Sequence, residues 1–426
     1  MTLMTTTVGG PSYSSALRGP GSMRQANEWV VLERLRSHAP VSVPELASDT
    51  GLSRPTVNLA LARLEEDGLV RQTGRRTGNA GRAARLWEPH VDTGRVISVD
   101  VGAQWVRLAL ADLGGTVLDR RQEPSRALSA TDLVHQVSRL VAELLESNEV
   151  TRDQLLSTVV GSPGIYDPAS RRLRHAYNLP GWDRPTIVGL LTDEFGDSIR
   201  FENDIDLAAL GEQAAGLGRG IPDFVYLSVG SGVGMGTITG GRLHRGARGA
   251  AGEIAFLLVG DPTQEPLEEV RLRGAFESAA AADAIVAAAR DAGMGDKCSV
   301  EDVFTAARAG HSVASAIVDR EVDLLARALV AVVALIDPQL VVLGGGVGGH
   351  AEFLLEPLGR RLAELVPLPL PELAVSAVGE DATVIGGVAQ AVDAAWRRAF
   401  GACQRRRQES ENELQGGERW QAGAFN

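Results

Sequence analysis

The chain has 426 residues, 44% hydrophobic and 23% charged, which is typical of a globular protein with two or three domains and unlike a disordered or membrane-spanning chain. Its net charge of −12 argues against a surface that binds nucleic acid throughout, because DNA binding requires cations that neutralise phosphates. The charge is uneven, since residues 18–90 hold eleven arginines and eight acidic residues, an excess of +3 that leaves −15 for the rest.

The first part of the chain contains a predicted disordered segment and the start of a predicted domain. Residues 1–22 are rich in Ser, Thr, Gly and Pro, a composition that predicts disorder. From residue 23 the apolar pattern is helical. Ser42 and Glu45 then have the spacing of a capping box, which predicts a second helix that ends at Gly51.

A third helix and a hairpin complete this predicted domain, which spans residues 23–88. Ser53 is the expected N-cap of a helix over Arg54–Asp67, whose apolar residues recur at helical spacing. Two short strands follow, separated by a loop rich in Gly and Arg, as in the wing of a winged helix-turn-helix. In such domains the third helix enters the DNA major groove by its N-terminal end.

The candidate DNA contacts lie on the polar side of this helix and on the wing. Their donors and acceptors suit phosphates and base edges. They are Ser53, Arg54, Thr56 and Asn58 on the helix, and Arg75, Arg76, Arg82 and Arg85 on the wing. The alternative is a small helical bundle that packs on the body or mediates dimerisation, with solvated arginines. The capped third helix together with the Arg- and Gly-rich hairpin favours DNA binding.

After a linker at residues 89–94, residues 95–400 form the predicted body of the protein. Short strands alternate with Gly-rich turns and helices, and the plan recurs after Pro222. We expect two β-β-β-α-β-α halves around a cleft. A last helix is predicted to end near Phe400, followed by a polar, flexible tail at residues 401–426.

Cysteine usage and hydropathy indicate the compartment. Cys298 and Cys403 are far apart and have no paired spacing, so neither a disulfide framework nor a cysteine-rich zinc site is expected. The longest apolar run, Ala328–Ile336, is too short to cross a bilayer, and we see no signal-peptide pattern near the N-terminus. We expect a cytoplasmic protein without a membrane partner.

An ordered set of motifs resembles the ROK family (repressor, open reading frame, kinase) over nearly the whole ordered chain. The motifs are Leu46–Val57 and Gly81-Arg82-Ala83 in the front domain, then Val99-Asp100-Val101-Gly102, Gly161–Gly164, Asn178–Trp182, Glu202-Asn203-Asp204, Ser228–Gly234, Gly249–Ile254 and Gly344-Gly345-Gly346 in the body. The resemblance implies an α/β fold class: a winged helix-turn-helix followed by a two-lobed actin/hexokinase-like (RNase H-like) domain.

The resemblance also implies roles for residues of the body. The implied ligand-binding residues are Asn178, Asn203, Asp204, Glu253 and Glu277, and the implied nucleotide-side residues are Asp100, Gly102, Gly230, Ser231, Gly232 and Gly234. In a sugar kinase, Asp204 would be the catalytic base and Asp100 would help to hold Mg²⁺. Local roles remain open: Asn178 as a turn former, Asn203-Asp204 as a helix N-cap, Glu253 as a surface charge, and the glycines as turns that the fold requires.

Two departures from the family pattern concern cofactors. Kinases of the family usually have Gly-Thr after the first phosphate motif, where this chain has Ala103-Gln104-Trp105, and this argues against ATP and Mg²⁺. The family usually binds structural zinc through one His and three Cys. This chain has Ala255-Phe256 and the stretch Leu272–Glu277 instead, so we expect no metal site and no cofactor.

These observations predict a transcription regulator of carbohydrate metabolism genes, acting as a repressor on a double-stranded DNA operator. A small-molecule sugar effector would bind in the body, and a homodimer or homotetramer would read a palindrome. One alternative is an ATP-dependent sugar kinase with an appended DNA-binding domain. Another is a body that serves as a scaffold and binds no small ligand.

Overall fold

The computed structural model describes residues 20–76, 84–125, 129–168, 170–177, 179–259 and 267–423. The predicted disorder of residues 1–22 falls mostly outside these ranges, as do the wing loop with Arg82 and the predicted ligand residue Asn178. No helix in these ranges has the length and apolar character needed to cross a bilayer.

The front domain is a three-helix unit closed by a three-stranded sheet. Its elements are α1 (Pro20–His38), β1 (Val41–Ser42), α2 (Val43–Thr50), α3 (Arg54–Glu66), β2 (Val70–Arg76) and β3 (Ala84–Pro89), with sheet order β1-β3-β2. The capping box of Ser42 and Glu45 and the left-handed Gly51 bound α2 as the sequence predicts. Val57, Leu61 and Leu64 are buried, so the apolar face of α3 is correctly predicted.

The first lobe of the body is a five-stranded sheet with helices on both faces. Its strands are β4 (Arg95–Val101), β5 (Trp105–Asp112), β6 (Val117–Pro124), β7 (Leu155–Ser162) and β10 (Ile199–Asn203), in the order β10-β7-β4-β5-β6; its helices are α4 (Ala130–Ser147), α5 (Pro185–Phe195) and α6 (Asp204–Ala215), and a small hairpin is formed by β8 (Ile165–Asp167) and β9 (Arg172–Arg174). Strand residues alternate between the two faces. Ile97 packs with α4 and α5, and its neighbour Val96 lies in the core that contains α6.

The second lobe repeats this plan with a second five-stranded sheet. Its strands are β11 (Phe224–Val229), β12 (Val233–Thr239), β13 (Arg242–Leu243), β14 (Leu340–Gly344) and β15 (Glu372–Val375), in the order β13-β12-β11-β14-β15. Its helices are α7 (Leu267–Arg273), α8 (Ala275–Ala280), α9 (Ala282–Asp291), α10 (Val300–Arg308), α11 (Ser312–Ile336), α12 (Gly345–Gly348) and α13 (Ala351–Leu365), followed by α14 (Ala382–Gly423). The two predicted halves are therefore present, with the cleft between them. Each half continues beyond the predicted β-β-β-α-β-α plan with a further strand and helix, β10 with α6 in the first lobe and β15 with α14 in the second.

Helices α6 and α14 pack tightly against each other in the core of the body. A Cβ on Gly211 of α6 would overlap the backbone of Ala382, and a Cβ on Gly386 of α14 would overlap the backbone of Leu207. These glycines allow the two helix backbones to approach each other. The start of α14 is thus fixed against the first turns of α6.

The predicted end of the last helix is wrong. Helix α14 does not stop near Phe400 but continues to Gly423, so the segment expected to be a flexible tail is helical in the described part of the chain. The reason is a tertiary contact, because the extension packs on the front domain. Trp29 of α1 meets Phe400 edge to face, with ring centroids 5.2 Å apart, and Cys403 is buried beside them.

Candidate functional site: a DNA-reading face and a ligand cavity

The N-terminal end of α3 presents a polar, accessible surface. Ser53 caps the helix, accepting a hydrogen bond from the backbone N–H of Thr56 at 3.3 Å, and the two hydroxyls are 2.8 Å apart. Arg54 and Asn58 are exposed, and no ion pair ties Arg54 to another described residue. The helix end that is expected to enter a major groove is therefore free of the protein's own body.

The wing brings two arginines face to face. Arg75 and Arg85 are cross-strand partners in the β2–β3 ladder, and both are exposed. Like charges at directly opposed positions destabilise a sheet unless an anion lies between them, as a phosphate would. Arg76 ends the described part of β2. The structure thus brings Arg75 and Arg85 together at the base of the predicted wing.

A cavity of about 610 Å³ lies between the two lobes of the body. Of the sequence-predicted residues, the cavity is lined by Asn203, Asp204, Glu253 and Glu277, and by Gly230, Ser231, Gly232 and Gly234. Asp100 and Gly102 are not among its lining residues. The structure therefore brings most of the predicted ligand and phosphate-loop residues into one site.

The first turn of α6 supplies two of these side chains in different roles. Asn203 is the helix N-cap: its Oδ1 accepts from the backbone N–H groups of Ile205 and Asp206 at 2.8 and 3.0 Å, and its Nδ2 donates to the carbonyl of Gly164 at 3.2 Å. Oδ1 of Asp204 accepts from the N–H of Ile205 at 2.9 Å, and Oδ2 has no hydrogen bond with another described residue. Asp204 is left with Oδ2 for a ligand, whereas the amide of Asn203 is committed to the backbone.

Two glutamates complete the predicted ligand set, again in different states. The carboxylate of Glu277 accepts from the backbone N–H of Val233 at 2.9 Å and from Arg273 Nε at 3.2 Å, so it positions the β12 turn. Glu253 is half-buried and has no hydrogen-bond partner among the described residues. Glu253 is therefore the glutamate available to a ligand, not a solvated surface charge.

The nucleotide side of the cleft holds an arginine that the sequence analysis missed. Arg107 of β5 lies 3.4 Å from the carboxylate of Asp100 and 2.8 Å from that of Glu380, which precedes α14. Burial raises the pKa of Asp100 to about 7, and the charge of Asp204 adds to this. The position where a kinase would hold Mg²⁺ thus contains a guanidinium, so these residues fit a nucleotide-bound metal poorly.

The glycine turns serve the fold in part. Gly345 has a positive φ of 82°, and a Cβ there would overlap the backbone of Val229. A Cβ on Gly344 would overlap the ring of Tyr226. Packing therefore requires glycine at positions 344 and 345, whereas a Cβ on Gly346 would meet no atom within 4 Å. Gly345 and Gly346 also line the cavity, as does Gly230, so both turns border the space that a ligand would occupy.

A further carboxylate, Asp206, also lines the cavity, and the sequence analysis did not single it out. It is only 4% exposed, and its carboxylate has no hydrogen bond or ion pair with any described residue. Burial raises its pKa to about 8, and the neighbouring Glu202 adds to the shift. Burial likewise raises the pKa of Asp204 to about 6. The signal that could have revealed Asp206 is its place two residues after Asp204.

No group of three or more His, Cys, Asp or Glu side chains in the described residues is arranged to hold a metal ion. At the positions where the family's zinc ligands are expected, Phe256 lines the cavity and is 41% exposed, and Leu272 lies beside it. A phenyl ring and an aliphatic chain cannot bind zinc. The residues present at this place therefore do not fit the family's zinc.

Helix α14 connects the cavity to the front domain. At its start, the hydroxyl of Thr383 donates to the backbone carbonyl of Asp204 at 3.2 Å. About seven turns later, Arg407 Nη1 contacts Glu28 of α1 at 3.0 Å and Nη2 donates to the carbonyl of Arg63 of α3 at 2.8 Å. A single helix therefore touches both the backbone of a ligand residue and the domain that carries the DNA-reading face.

Comparison with known families supports this arrangement. Residues 96–394 match the sequence model of the ROK family, and residues 25–71 match a model of winged helix-turn-helix DNA-binding domains. The first match covers more than half of the chain. The family resemblance inferred from the motifs is thus confirmed, and so is the predicted order of a winged helix before an actin/hexokinase-like body.

Individual relatives fall into two groups. A glucokinase of Thermotoga maritima is 28% identical over 309 residues, which cover 68% of this chain and 95% of the glucokinase. A putative xylose repressor of Caldicellulosiruptor sp. is 24% identical over 386 residues, which cover 87% of this chain and 96% of the repressor. The kinase thus aligns with a region the size of the body alone, and the repressor with most of the chain.

A solved structure has the same overall fold. The crystal structure of a ROK family transcriptional regulator, described as a homolog of the E. coli MLC protein, superposes with a TM-score of 0.74. It covers 89% of this chain and 99% of that chain, at 19% sequence identity. At this identity the likeness shows the fold, which includes both the front domain and the body.

Proposed function

Because the chain belongs to the ROK family and carries a winged helix-turn-helix in front of its body, we propose that it is a sugar-responsive DNA-binding transcription regulator. It acts as a repressor of carbohydrate metabolism genes, and a sugar or sugar derivative in the interlobe cavity is its effector. Since its target is the chromosome, it works in the cytoplasm, as a homodimer or a dimer of dimers that reads a palindromic operator.

The observation that carries this proposal is the accessible end of α3. A helical bundle that only packed on the body would cover its polar face, yet Arg54 and Asn58 are exposed while the opposite face forms the core. The opposed pair Arg75 and Arg85 adds a phosphate-binding surface beside it. The repressor relatives share this front domain in addition to the body.

The sugar-kinase alternative is supported by the similarity to glucokinases and by Asp204, which has the burial and the free oxygen of a general base. The ion pair of Arg107 with Asp100 speaks against it, because the guanidinium competes with Mg²⁺ for that carboxylate. We therefore propose a body that binds a sugar without phosphorylating it. An assay of ATP-dependent phosphorylation over a sugar panel, with Asp204→Asn as the reference, separates the two functions.

The regulatory mechanism follows from the path of α14. A sugar that hydrogen-bonds Asp204 acts on the first turn of α6, whose backbone Thr383 contacts at the start of α14. If the start of α14 moves, the helix carries that movement to Arg407, which contacts the front domain. The protein then has two arrangements, one that binds the operator well and one that binds it poorly. The effector can change operator affinity only by the difference between its own affinities for these two arrangements.

The test is a fluorescence-anisotropy titration of the purified protein with DNA from upstream of its own gene, with and without a panel of sugars. We expect salt-sensitive binding that a sugar in the panel alters. Arg54→Ala is expected to weaken operator binding by roughly 1–3 kcal/mol, because an arginine at this helix position contacts a base edge or a phosphate.

The matched control is Arg139→Ala, an exposed arginine of the body on α4 whose ion pairs are with Glu123 and Glu143. This change leaves operator binding as it is. Equal losses in the two variants would mean that DNA meets the general charge of the molecule and not the α3 face, and the proposed DNA-reading role would fall.

A further inference from the structure

The ligand cavity has an excess of carboxyl groups, whose ionised forms are disfavoured by burial, on the side where α6 begins. Asp204, Asp206 and Glu253 line this side, and none of the three has an ion pair with a described cationic side chain. Burial raises the pKa of each, and their mutual repulsion contributes for Asp206 and Glu253. Three carboxyl groups thus share one poorly solvated wall.

The arginines that line the cavity form no ion pairs with these three carboxyl groups among the described residues. Arg107 is paired with Asp100 and Glu380. Arg273 is paired with Glu277 and with Asp283, at 3.2 and 2.7 Å. Each guanidinium already serves two carboxylates, so neither is left to receive an anionic ligand.

Arg245 stands close to the same wall but is also committed. It contacts the carboxylate of Glu202 through Nε at 2.8 Å and through Nη2 at 2.5 Å. Its charge lowers the pKa of Asp206, yet burial and the charges of Glu202, Asp204 and Glu253 together outweigh that effect. The positive charge nearest to Asp206 thus remains paired elsewhere.

The buried carboxyl group of Asp206 is an independent indication that a ligand binds at this side of the cavity. This carboxyl group is only 4% exposed and has no hydrogen bond among the described residues, so its partners can come only from the cavity that it lines. The aromatic side chains of Tyr177 and Phe256 also line the cavity. Ring faces attract cations, as carboxylates do.

We propose that the effector is a sugar bearing a protonated amine, whose ammonium group binds at Asp206 between Asp204 and Glu253, and that phosphorylated sugars are excluded. This inference rests on the proposed function, since it names the ligand class of the same cavity. The ammonium group favours the ionised form of these carboxyl groups and compensates the negative charge that they then carry. The sugar hydroxyls use the free oxygens of Asp204 and Glu253. A phosphate in the same place meets three carboxylates with no free arginine.

The experiment is isothermal titration calorimetry of the full chain with D-glucosamine, D-glucose, N-acetyl-D-glucosamine and D-glucose 6-phosphate under one set of conditions. These probes share a ring and differ in charge. We expect glucosamine to bind about ten-fold more tightly than glucose or the uncharged N-acetyl derivative, the gain expected from one partly screened charge pair. We expect no binding of the 6-phosphate.

Two variants and a control locate the effect. Asp206→Asn keeps the shape of the side chain and removes its charge, so it brings the affinity for glucosamine close to that for glucose; Glu253→Gln reduces the preference in the same direction. Glu301→Gln is the matched control, because Glu301 also lines the cavity but lies at its rim, where its side chain is 73% exposed. It leaves the preference unchanged.

The outcomes separate this inference from the proposed function. If glucose or N-acetylglucosamine binds as tightly as glucosamine, or if the 6-phosphate binds, the amine inference is wrong while a sugar-sensing cavity stands. If the amine preference persists in Asp206→Asn and Glu253→Gln, the charged group binds elsewhere and the inference is equally wrong. If operator DNA binds and no sugar of any charge class does, the sensing role itself fails.

Discussion

At the scale of single residues, Asp206 makes the stability of the chain depend on pH. Its pKa is about 8 in the folded protein, against 3.8 for an ordinary aspartate. Between these values the folded chain holds a proton that the unfolded chain has released, so the free energy of unfolding falls as pH rises from about 4 to about 8. Asp100 and Asp204, whose pKa values are about 7 and 6, act in the same direction.

Asp206→Asn removes one of these protons and is expected to change that profile. At pH 8 the variant melts a few degrees above the parent chain, because a buried, unpaired charge is gone, and its melting temperature falls less between pH 5 and pH 8. Differential scanning fluorimetry over this range measures both effects. Asp296→Asn, at an exposed position on the surface, serves as the control. Parallel melting profiles for Asp206→Asn and the parent would contradict the expectation.

Much of the candidate site could be predicted from the sequence, because motif order identifies which residues meet. Motif order did not show which of these side chains are free to bind a ligand. Asn203 and Glu277 lie in the site as expected, yet the first is committed to capping α6 and the second to the β12 turn. Those commitments depend on three-dimensional neighbours. Arg107 was missed for a different reason: it is the cross-strand partner of Asp100 in the β4–β5 hairpin, a local pairing that the register of the hairpin could have indicated.

At the scale of elements, the long helix α14 joins the two functional regions. Its outer half meets Glu28, a carboxylate of α1 that is 1% exposed and is bound by Arg63, Arg407 and Gln404. Arg407 also pairs with Asp67 at the end of α3. The charges that hold α14 to the front domain thus converge on the helix that presents the DNA-reading face.

Arg407→Ala is expected to uncouple effector from operator. It leaves buried Glu28 with fewer partners, and breaking such a pair costs about 3 kcal/mol or more, so the front domain loosens on α14. We expect the variant to bind the operator through its intact α3 face, but with a response to the effector reduced several-fold. Anisotropy titrations with and without effector measure the response.

The control for this helix is Arg405→Ala, since Arg405 is exposed on the same helix near Arg407. It keeps the parent's response. A full effector response in Arg407→Ala would show that the signal reaches the front domain by another route.

Most strands of the two sheets were predictable because their apolar runs carry the signal locally, whereas the short strands β10 and β13 were not identified. The end of α14 was not predictable. Beyond Gly401 the sequence is polar, with Gln404-Arg405-Arg406-Arg407, and a polar run without an apolar stripe resembles a tail. Its stability as a helix comes from Phe400, Cys403 and Arg407, which lie on the side that faces the front domain. A surface supplied by another domain is not visible in local periodicity.

At the scale of the whole molecule, helix α14 contacts both the basic front domain and the acidic body, and thermodynamics restricts how binding to one affects binding to the other. If the effector changes operator affinity by some factor, then the operator must change effector affinity by the same factor. We expect a coupling of roughly 1–3 kcal/mol, or about 5- to 150-fold, measured from either direction. Calorimetric titration of effector into the free protein and into the protein–operator complex gives one value, and anisotropy titration of operator with and without effector gives the other.

Two variants are expected to affect this coupling differently. Because the effect of the effector on the operator and the reverse effect both pass through α14, Arg407→Ala reduces the two factors together. Asp206→Asn weakens effector binding and leaves the operator affinity of the effector-free protein intact. Two factors that differ beyond error would mean that the effector acts on assembly of the chains and not within each one.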